Sequence, residues 1–310
     1  MGVPKFRRKY QTEDPTKTKS KRLELEDFLE RTYKSAISQI LSYFSQQATQ
    51  ENSAKKWREN AATLKSLEGF MLMVNKQLNE VEAKAERLIK RYVATAYKKG
   101  QDEASKTANE QMKQKNMPMV SAMFTLKHQQ AIQRMANLKL KDIKAINEDL
   151  RNAIRKSLVK SADEGWSIDQ TRKVISDLLT KDQKVKKVDA VVFGARIRGR
   201  AQAIARTSVI QAYAQGAKDH YQSLEDDGII VRKEWVATVH MTGTTSTGSK
   251  ARRVASIGRT CSVCHTLDGK VSDLDGKFRT TADGKTYTYD TPPAHPNCRC
   301  AIVGKVVGFE

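Results

Sequence analysis

Proline occurs only at positions 4, 15, 118, 292, 293 and 296, which leaves residues 16–117 and 119–291 without one. A proline inside a helix removes a hydrogen bond and clashes with the preceding turn, so both tracts are free to form long, unkinked helices. The apolar spacing agrees. From Leu25 onward Phe28, Leu29, Tyr33, Ile37, Leu41 and Phe44 recur at helical intervals and predict a first amphipathic helix. Leu64, Leu67, Met71, Val74, Leu78, Val81, Ala85, Leu88 and Tyr92 alternate by three and four, the seam of an antiparallel bundle or coiled coil. Residues 101–119 are polar and read as a frayed end or connector. Helical spacing resumes at Ile132, Met135, Ile143, Ile146, Leu150, Ile154 and Leu158.

Ser167-Ile-Asp-Gln170 has the form of a capping box, which predicts a helix start there and a short helix through Leu179. A longer helix is expected from about Val188 to Glu225, stopping at Asp226-Asp227-Gly228. The period then changes. Ile229, Val231, Trp235, Ala237 and Val239 share one alternating face and predict a strand over residues 229–240, Lys233 being the exception on that face. Further short strands are expected around Tyr287 and Tyr289 and over residues 301–307, and residues 241–250 read as a loop. The expected fold is therefore mainly α. It comprises a flexible basic arm (1–20), an elongated helical hairpin, bundle or coiled-coil-like region (21–117), a second, basic helical region (118–228), and a small α+β module (229–310) with a Cys/His cluster.

That cluster holds all four cysteines, as Cys261-x-x-Cys264 and His295-Pro-Asn-Cys298-Arg-Cys300. Each half offers soft ligands on a short turn, and a zinc ion needs four such donors to close a tetrahedron. Cys261, Cys264, His295, Cys298 and Cys300 are the candidate ligands for a structural zinc; His265 is a sixth donor with an ordinary polar role in view. Disulfides and free thiols are the alternatives. Residues 1–22 lack the apolar core of a signal or transit peptide, and no apolar run approaches the roughly 20 residues of a membrane span.

The net charge of +21 favours polyanionic partners. Residues 151–200 carry 13 basic and 6 acidic residues, whereas residues 201–250 carry 5 of each, so the excess is focused mid-chain. Lys184, Lys186, Lys187, Arg196, Arg198 and Arg200 are the candidate nucleic-acid or polyanion contacts. Aromatics are not interleaved among them, which argues against reading of base sequence.

Ala205-Arg206-Thr207, Trp235, Arg259-Thr-Cys-Ser-Val-Cys264, Leu267-Asp268-Gly269-Lys270 and Pro292-Pro-Ala-His-Pro-Asn-Cys-Arg-Cys300 together resemble the phage Mu F-like head morphogenesis proteins, over roughly residues 199–303. Arg206, Thr207 and Trp235 carry the part of that resemblance outside the cysteines. Ser208 stands where the family usually has an acidic residue, and the segment between Trp235 and Cys261 is unusually long. The resemblance implies a minor head (minor capsid) protein of a bacteriophage that binds the portal and assists head assembly, DNA packaging or DNA ejection. It also implies packaged DNA and scaffolding protein as partners, and a place in the capsid interior of the virion, with assembly in the host cytoplasm.

No His-Glu-x-x-His, paired-carboxylate or nucleophile-elbow pattern is present, so no enzyme activity is expected. Two other functions compete: a zinc-dependent nucleic-acid-processing enzyme, and a non-specific DNA-binding protein.

Overall fold

The computed structural model describes residue 14 and residues 16–50, 61–119, 124–180, 193–237, 240–241, 255–256, 260–282, 284–296 and 298–309. It is mainly α, with long helices followed by a small strand-containing module beside the Cys/His cluster. The helices are α1 (Lys19–Gln50), α2 (Ala61–Gln114), α3 (Leu126–Glu164), α4 (Ile168–Thr180), α5 (Phe193–Asp226) and the short α6 (Ser262–Leu267). The strands are β1 (Ile229–Val236), β2 (His240–Met241), β3 (Ala255–Ser256), β4 (Val271–Asp273), β5 (Phe278–Ala282), β6 (Lys285–Tyr289) and β7 (Ala301–Phe309).

These elements form two compact units, each assembled from non-consecutive segments: Leu25–Ile89 with Asn137–Ala205, and Met1–Glu24 with Lys90–Ala136 and Arg206–Glu310. The sequence had suggested consecutive segments instead. Long helices supply residues to both units, so a left-to-right division misses the grouping.

In the helical unit, Leu29, Tyr33, Ala36 and Ile40 of α1, Val74, Leu78, Val81 and Ala85 of α2, and Ile143, Ile146, Leu150 and Ile154 of α3 are buried. Burying each larger side chain contributes about 2 kcal/mol. Register comes from a polar network inside this stack. Tyr33 donates to Asn147 Oδ1 (3.0 Å), and Asn147 Nδ2 donates to the Leu78 carbonyl and to Glu82 (both 3.0 Å). Arg151 reaches Asn79 at 2.8 Å and Glu82 at 3.3 Å. A slip of one turn would strand these groups without partners, so the network admits one alignment. The capping box at α4 forms as expected: Ser167 N–H donates to Gln170 Oε1 (2.8 Å) and Gln170 N–H to Ser167 Oγ (3.2 Å).

The second unit corrects two expectations. Residues 101–114 are helix and not connector, with Gln101, Ala104, Thr107, Ala108, Gln111 and Met112 buried. Their small and amide side chains are an adaptation to close packing. Part of the arm is also ordered: Asp14 accepts from Lys19 N–H at 2.6 Å and from Arg22 at 3.3 Å, capping α1, and Thr16 and Thr18 are buried. Residues 1–13 lie outside the described residues, as do 242–254.

Helices α2 and α5 cross here through glycine. A Cβ on Gly100 would overlap the Tyr213 carbonyl, 2.9 Å from its carbon and 3.1 Å from Ala217 N; one on Gly216 would overlap the Tyr97 carbonyl, 2.9 Å from its carbon. The contact is reciprocal, and Ala-Tyr-x-x-Gly stands at both sites, 96–100 and 212–216. Gly228 takes φ +82° where α5 ends and β1 begins.

β1 is central in an antiparallel sheet of order β4-β1-β7. Its two-residue period points Ile229, Val231, Lys233 and Trp235 to one face, all buried. The other edge of β7 is covered by Gln111, whose amide donates to Gly304 O (2.8 Å) and accepts from Val306 N–H (3.1 Å), as a neighbouring strand would. The expectation of a small sheet with little core is thus amended. Ala104, Ala108 and Met112 of α2 and Ala217, Tyr221 and Leu224 of α5 share one core with Val231, Trp235, Leu267, Phe278, Ile302 and the buried cysteines.

Candidate metal centre

Both halves of the cluster are shaped by short turns. Cys261 is the N-cap of α6, its sulfur accepting from Cys264 N–H at 3.3 Å, so that the first turn of helix holds the two sulfurs together. Cys298 N–H donates to the His295 carbonyl (3.1 Å), which brings Cys298 back beside His295. The halves then meet. His295 Nε2 lies 3.1 Å from Cys261 Sγ and 3.2 Å from Cys264 Sγ, and Cys264 Sγ lies 3.8 Å from Cys298 Sγ.

Two triads of donors result, Cys261/Cys264/His295 and Cys264/Cys298/Cys300, each within 4.8 Å, and Cys264 belongs to both. In tetrahedral zinc with Zn–S about 2.3 Å and Zn–N about 2.05 Å, sulfurs stand about 3.8 Å apart and sulfur and nitrogen about 3.5 Å apart. The donor set fits a metal of that kind. His295 Nδ1 is 2.7 Å from the Pro296 carbonyl, and a proton shared there leaves the Nε2 lone pair facing the two sulfurs, the arrangement in which a ligating histidine is usually held. All four cysteines are unbridged, and His265, exposed, joins neither triad.

The buried sulfurs share charge. Contact with Cys298 and Cys300, reinforced by burial, pushes the Cys264 thiol far above its ordinary value, and contact with Cys264 and Cys300 pulls Cys298 well below it. Several thiolates crowded at this depth would need a cation beside them.

The surrounding motif residues build the frame. Trp235 is fully buried, edge-on to Phe278 (centroids 5.3 Å, 79°) and 6.0 Å from Tyr289. Asp268 Oδ1 accepts from Ala237 N–H (2.9 Å), while Gly269 N–H donates to Trp235 O and Trp235 N–H to Lys270 O (both 2.9 Å), so the Leu267-Asp268-Gly269-Lys270 turn is stitched to the end of β1. Arg206 and Thr207 are half-buried on α5, eleven and ten residues, or about 15–17 Å of helical rise, before Ala217, which enters this core.

The sequence reading missed a charged cluster beside the frame. Lys233 is fully buried with its Nζ 2.5 Å from Asp290 Oδ1 and 5.4 Å from the Phe278 ring centre, and Lys218 Nζ contacts the same carboxylate at 2.8 and 2.9 Å. Burial lowers Lys233 from its ordinary value, with Asp290 opposing. Burial alone would raise Asp290, but hydrogen bonds from Lys218 and Lys233 outweigh it and hold the carboxyl below its usual range. Lysine on an otherwise apolar strand face was the available signal; its partner, 57 residues away, carried none.

Of the candidate polyanion contacts, Lys184, Lys186 and Lys187 lie outside the described residues. Arg196 and Arg198 fall within α5, and Arg200 is paired with Asp149 at 2.5 Å. No helix among the described residues is long and apolar enough to cross a membrane. No family model, curated protein or solved structure matches the chain.

Proposed function

We propose that this chain is a minor head protein of a bacteriophage, similar to the phage Mu F-like proteins, which binds the portal and assists head assembly, DNA packaging or DNA ejection. One observation carries the reading. Of the segments on which the resemblance rests, those within residues 235–300 contribute Trp235, Cys264, Leu267, Cys298 and Cys300 to a single core, while Ala205-Arg206-Thr207 lies earlier on α5 and outside it. A chance string of motif fragments would have no reason to pack together.

The cofactor in this reading is a structural zinc, held by Cys264 and three of Cys261, His295, Cys298 and Cys300. Burial of Cys264, Cys298 and Cys300 supports a structural role, because a metal seated there would be closed off on the protein side. Bound zinc would fix α6 to the 295–300 turn and make the module a rigid contact surface. Contact with packaged DNA through Lys184, Lys186, Lys187, Arg196, Arg198 and Arg200 rests on charge alone.

Co-expression with the portal protein tests the function: the full chain is expected to co-purify with it, and separation of the two in every assembly state would refute the assignment. Zinc analysis without chelators tests the cofactor, with about one ion per chain expected. DNA affinity that falls steeply with salt is expected if the basic region lies along DNA.

A further inference from the structure

Five donors surround a centre that needs four, and they are not equivalent. One spacing occurs twice, as Cys261-x-x-Cys264 and His295-x-x-Cys298. Each pair is drawn together by a hydrogen bond between its own members, Cys264 N–H to Cys261 Sγ at 3.3 Å and Cys298 N–H to the His295 carbonyl at 3.1 Å. Close approaches then link the four donors in turn: 3.1 Å from Cys261 to His295, 3.2 Å from His295 to Cys264 and 3.8 Å from Cys264 to Cys298. The last is the sulfur–sulfur edge of a zinc tetrahedron.

Cys298 and Cys300 compete for the fourth place, and the backbone separates them. Closing the tetrahedron requires one of them to approach the Cys261/His295 pair, since neither shares a triad with it. Cys298 already lies beside His295 in the chain, off the sheet. Its sulfur accepts from the Ala294 and Cys300 N–H groups, contacts that hold a ligand sulfur in place and can persist when it binds a metal. Cys300 stands immediately before β7, where Ala301 and Ile302 are paired with Val236 and Trp235 of β1. A shift of Cys300 toward His295 would pull Ala301 out of that ladder. Its buried thiol is instead hydrogen-bonded to the sulfurs of both Cys264 and Cys298.

We propose that the metal is held by Cys261, Cys264, His295 and Cys298, and that Cys300 stays outside the set as a positioning residue whose S–H donates to the ligand sulfurs beside it. This assignment rests on the zinc reading above. Three thiolates and an imidazole around a divalent ion leave one negative charge, whereas four thiolates would leave two in a core shared with Trp235, Leu267 and Phe278. The Cys300 thiol offsets the one that remains and fixes the orientation of its neighbours.

Cobalt(II) titration of the full chain, read by absorption, is the test. The parent should take up about one ion and show the spectrum of three sulfurs and one nitrogen. Cys300→Ser keeps a donor, so its affinity should stay within about tenfold of the parent, with undiminished sulfur-to-cobalt charge-transfer intensity. Cys300→Ala removes the donor and should move that band to lower energy at the same intensity. Cys298→Ser should weaken binding by about a hundredfold or more, the share of one ligand in such a site. A four-sulfur spectrum in the parent, charge-transfer intensity lowered by about a third in both folded Cys300 variants, or parent-like binding by Cys298→Ser would each overturn the assignment while leaving the metal centre in place. Circular dichroism of each variant confirms folding, and the parent spectrum is independent of them. Failure of the parent to take up either cobalt or zinc would refute the metal centre itself, and this assignment with it.

Discussion

Replacing Gly216 by alanine should unlock the helix crossing beneath the Cys/His module. The new Cβ would overlap the Tyr97 carbonyl, standing 2.9 Å from its carbon and 3.1 Å from Tyr97 Cα. Ordinary contacts begin near 3.4 Å, and these neighbours are backbone, so no rotamer change relieves them. Helices α2 and α5 must separate by about 1 Å, forfeiting a large part of the dispersion energy between their facing layers. Overpacking of this kind costs about 1–3 kcal/mol, and the loosened layers of Ala96, Ala212 and Ala217 add to it. Alanine's better helix propensity returns about 1 kcal/mol. The net expectation is a loss of about 2 kcal/mol. Gly199 supplies the control on the same helix: a Cβ there meets nothing within 4 Å, so Gly199→Ala should gain up to about 1 kcal/mol. Urea unfolding followed by circular dichroism should therefore place the two variants on opposite sides of the parent, about 3 kcal/mol apart. Equal midpoints, or a more stable Gly216→Ala, would refute the claim that backbone contact sets this crossing.

Asp290→Asn removes the carboxylate that answers the fully buried Lys233, and should cost about 2 kcal/mol, below the range for fully buried pairs because Asp290 is 41% exposed. Adding Lys233→Met should restore most of it, as measured by denaturant midpoints. His220 is buried, with Nε2 lacking a hydrogen-bond partner; burial, aided by His128 and opposed by Asp102, lowers its pKa to about 4. The folded protein then binds that proton less readily than the unfolded chain, so the associated stability is complete above pH 6.5 and shrinks as pH falls toward 4. The loss is about 2.5 kcal/mol between pH 7.5 and 4.5, and His220→Phe should remove this part of the acid sensitivity in unfolding titrations. Cys264→Ser should lower zinc content more than Cys300→Ser does, because Cys264 belongs to both triads; elemental analysis of the two proteins compares them directly.

Several features were legible before any coordinates. The capping box at Ser167 and Gln170 closes as its spacing requires, and the three-and-four seam marks the buried side of α2 through Val74, Leu78, Val81 and Ala85. Past Ala85 the seam drifts, and Ile89 and Val93 are buried in place of Leu88 and Tyr92, because a straight helix has 3.6 residues per turn and not 3.5. Strands β4 and β5 escaped notice: three to five residues with Thr, Ser and Arg among them carry too little pattern to declare an extended chain. The burial of Thr16 and Thr18 escaped for a related reason, since it comes from elsewhere in the molecule.

The sequence by itself determined the helical character, the change of period near residue 229, the stop at Gly228 and the two ligand-bearing turns. Each depends on neighbours within a few positions, where spacing, capping and backbone freedom act directly. Tertiary structure decided which distant groups meet: Gly100 on Tyr213, Gln111 on the edge of β7, Asp290 under Lys233, and His295 facing Cys261 and Cys264. Such pairings are selected by shape, by the penalty on unpaired buried charge and by close packing, none of which leaves a local period in the chain. The same division explains why the four cysteines marked a candidate metal centre early, while Cys264's place in both triads appeared only in three dimensions.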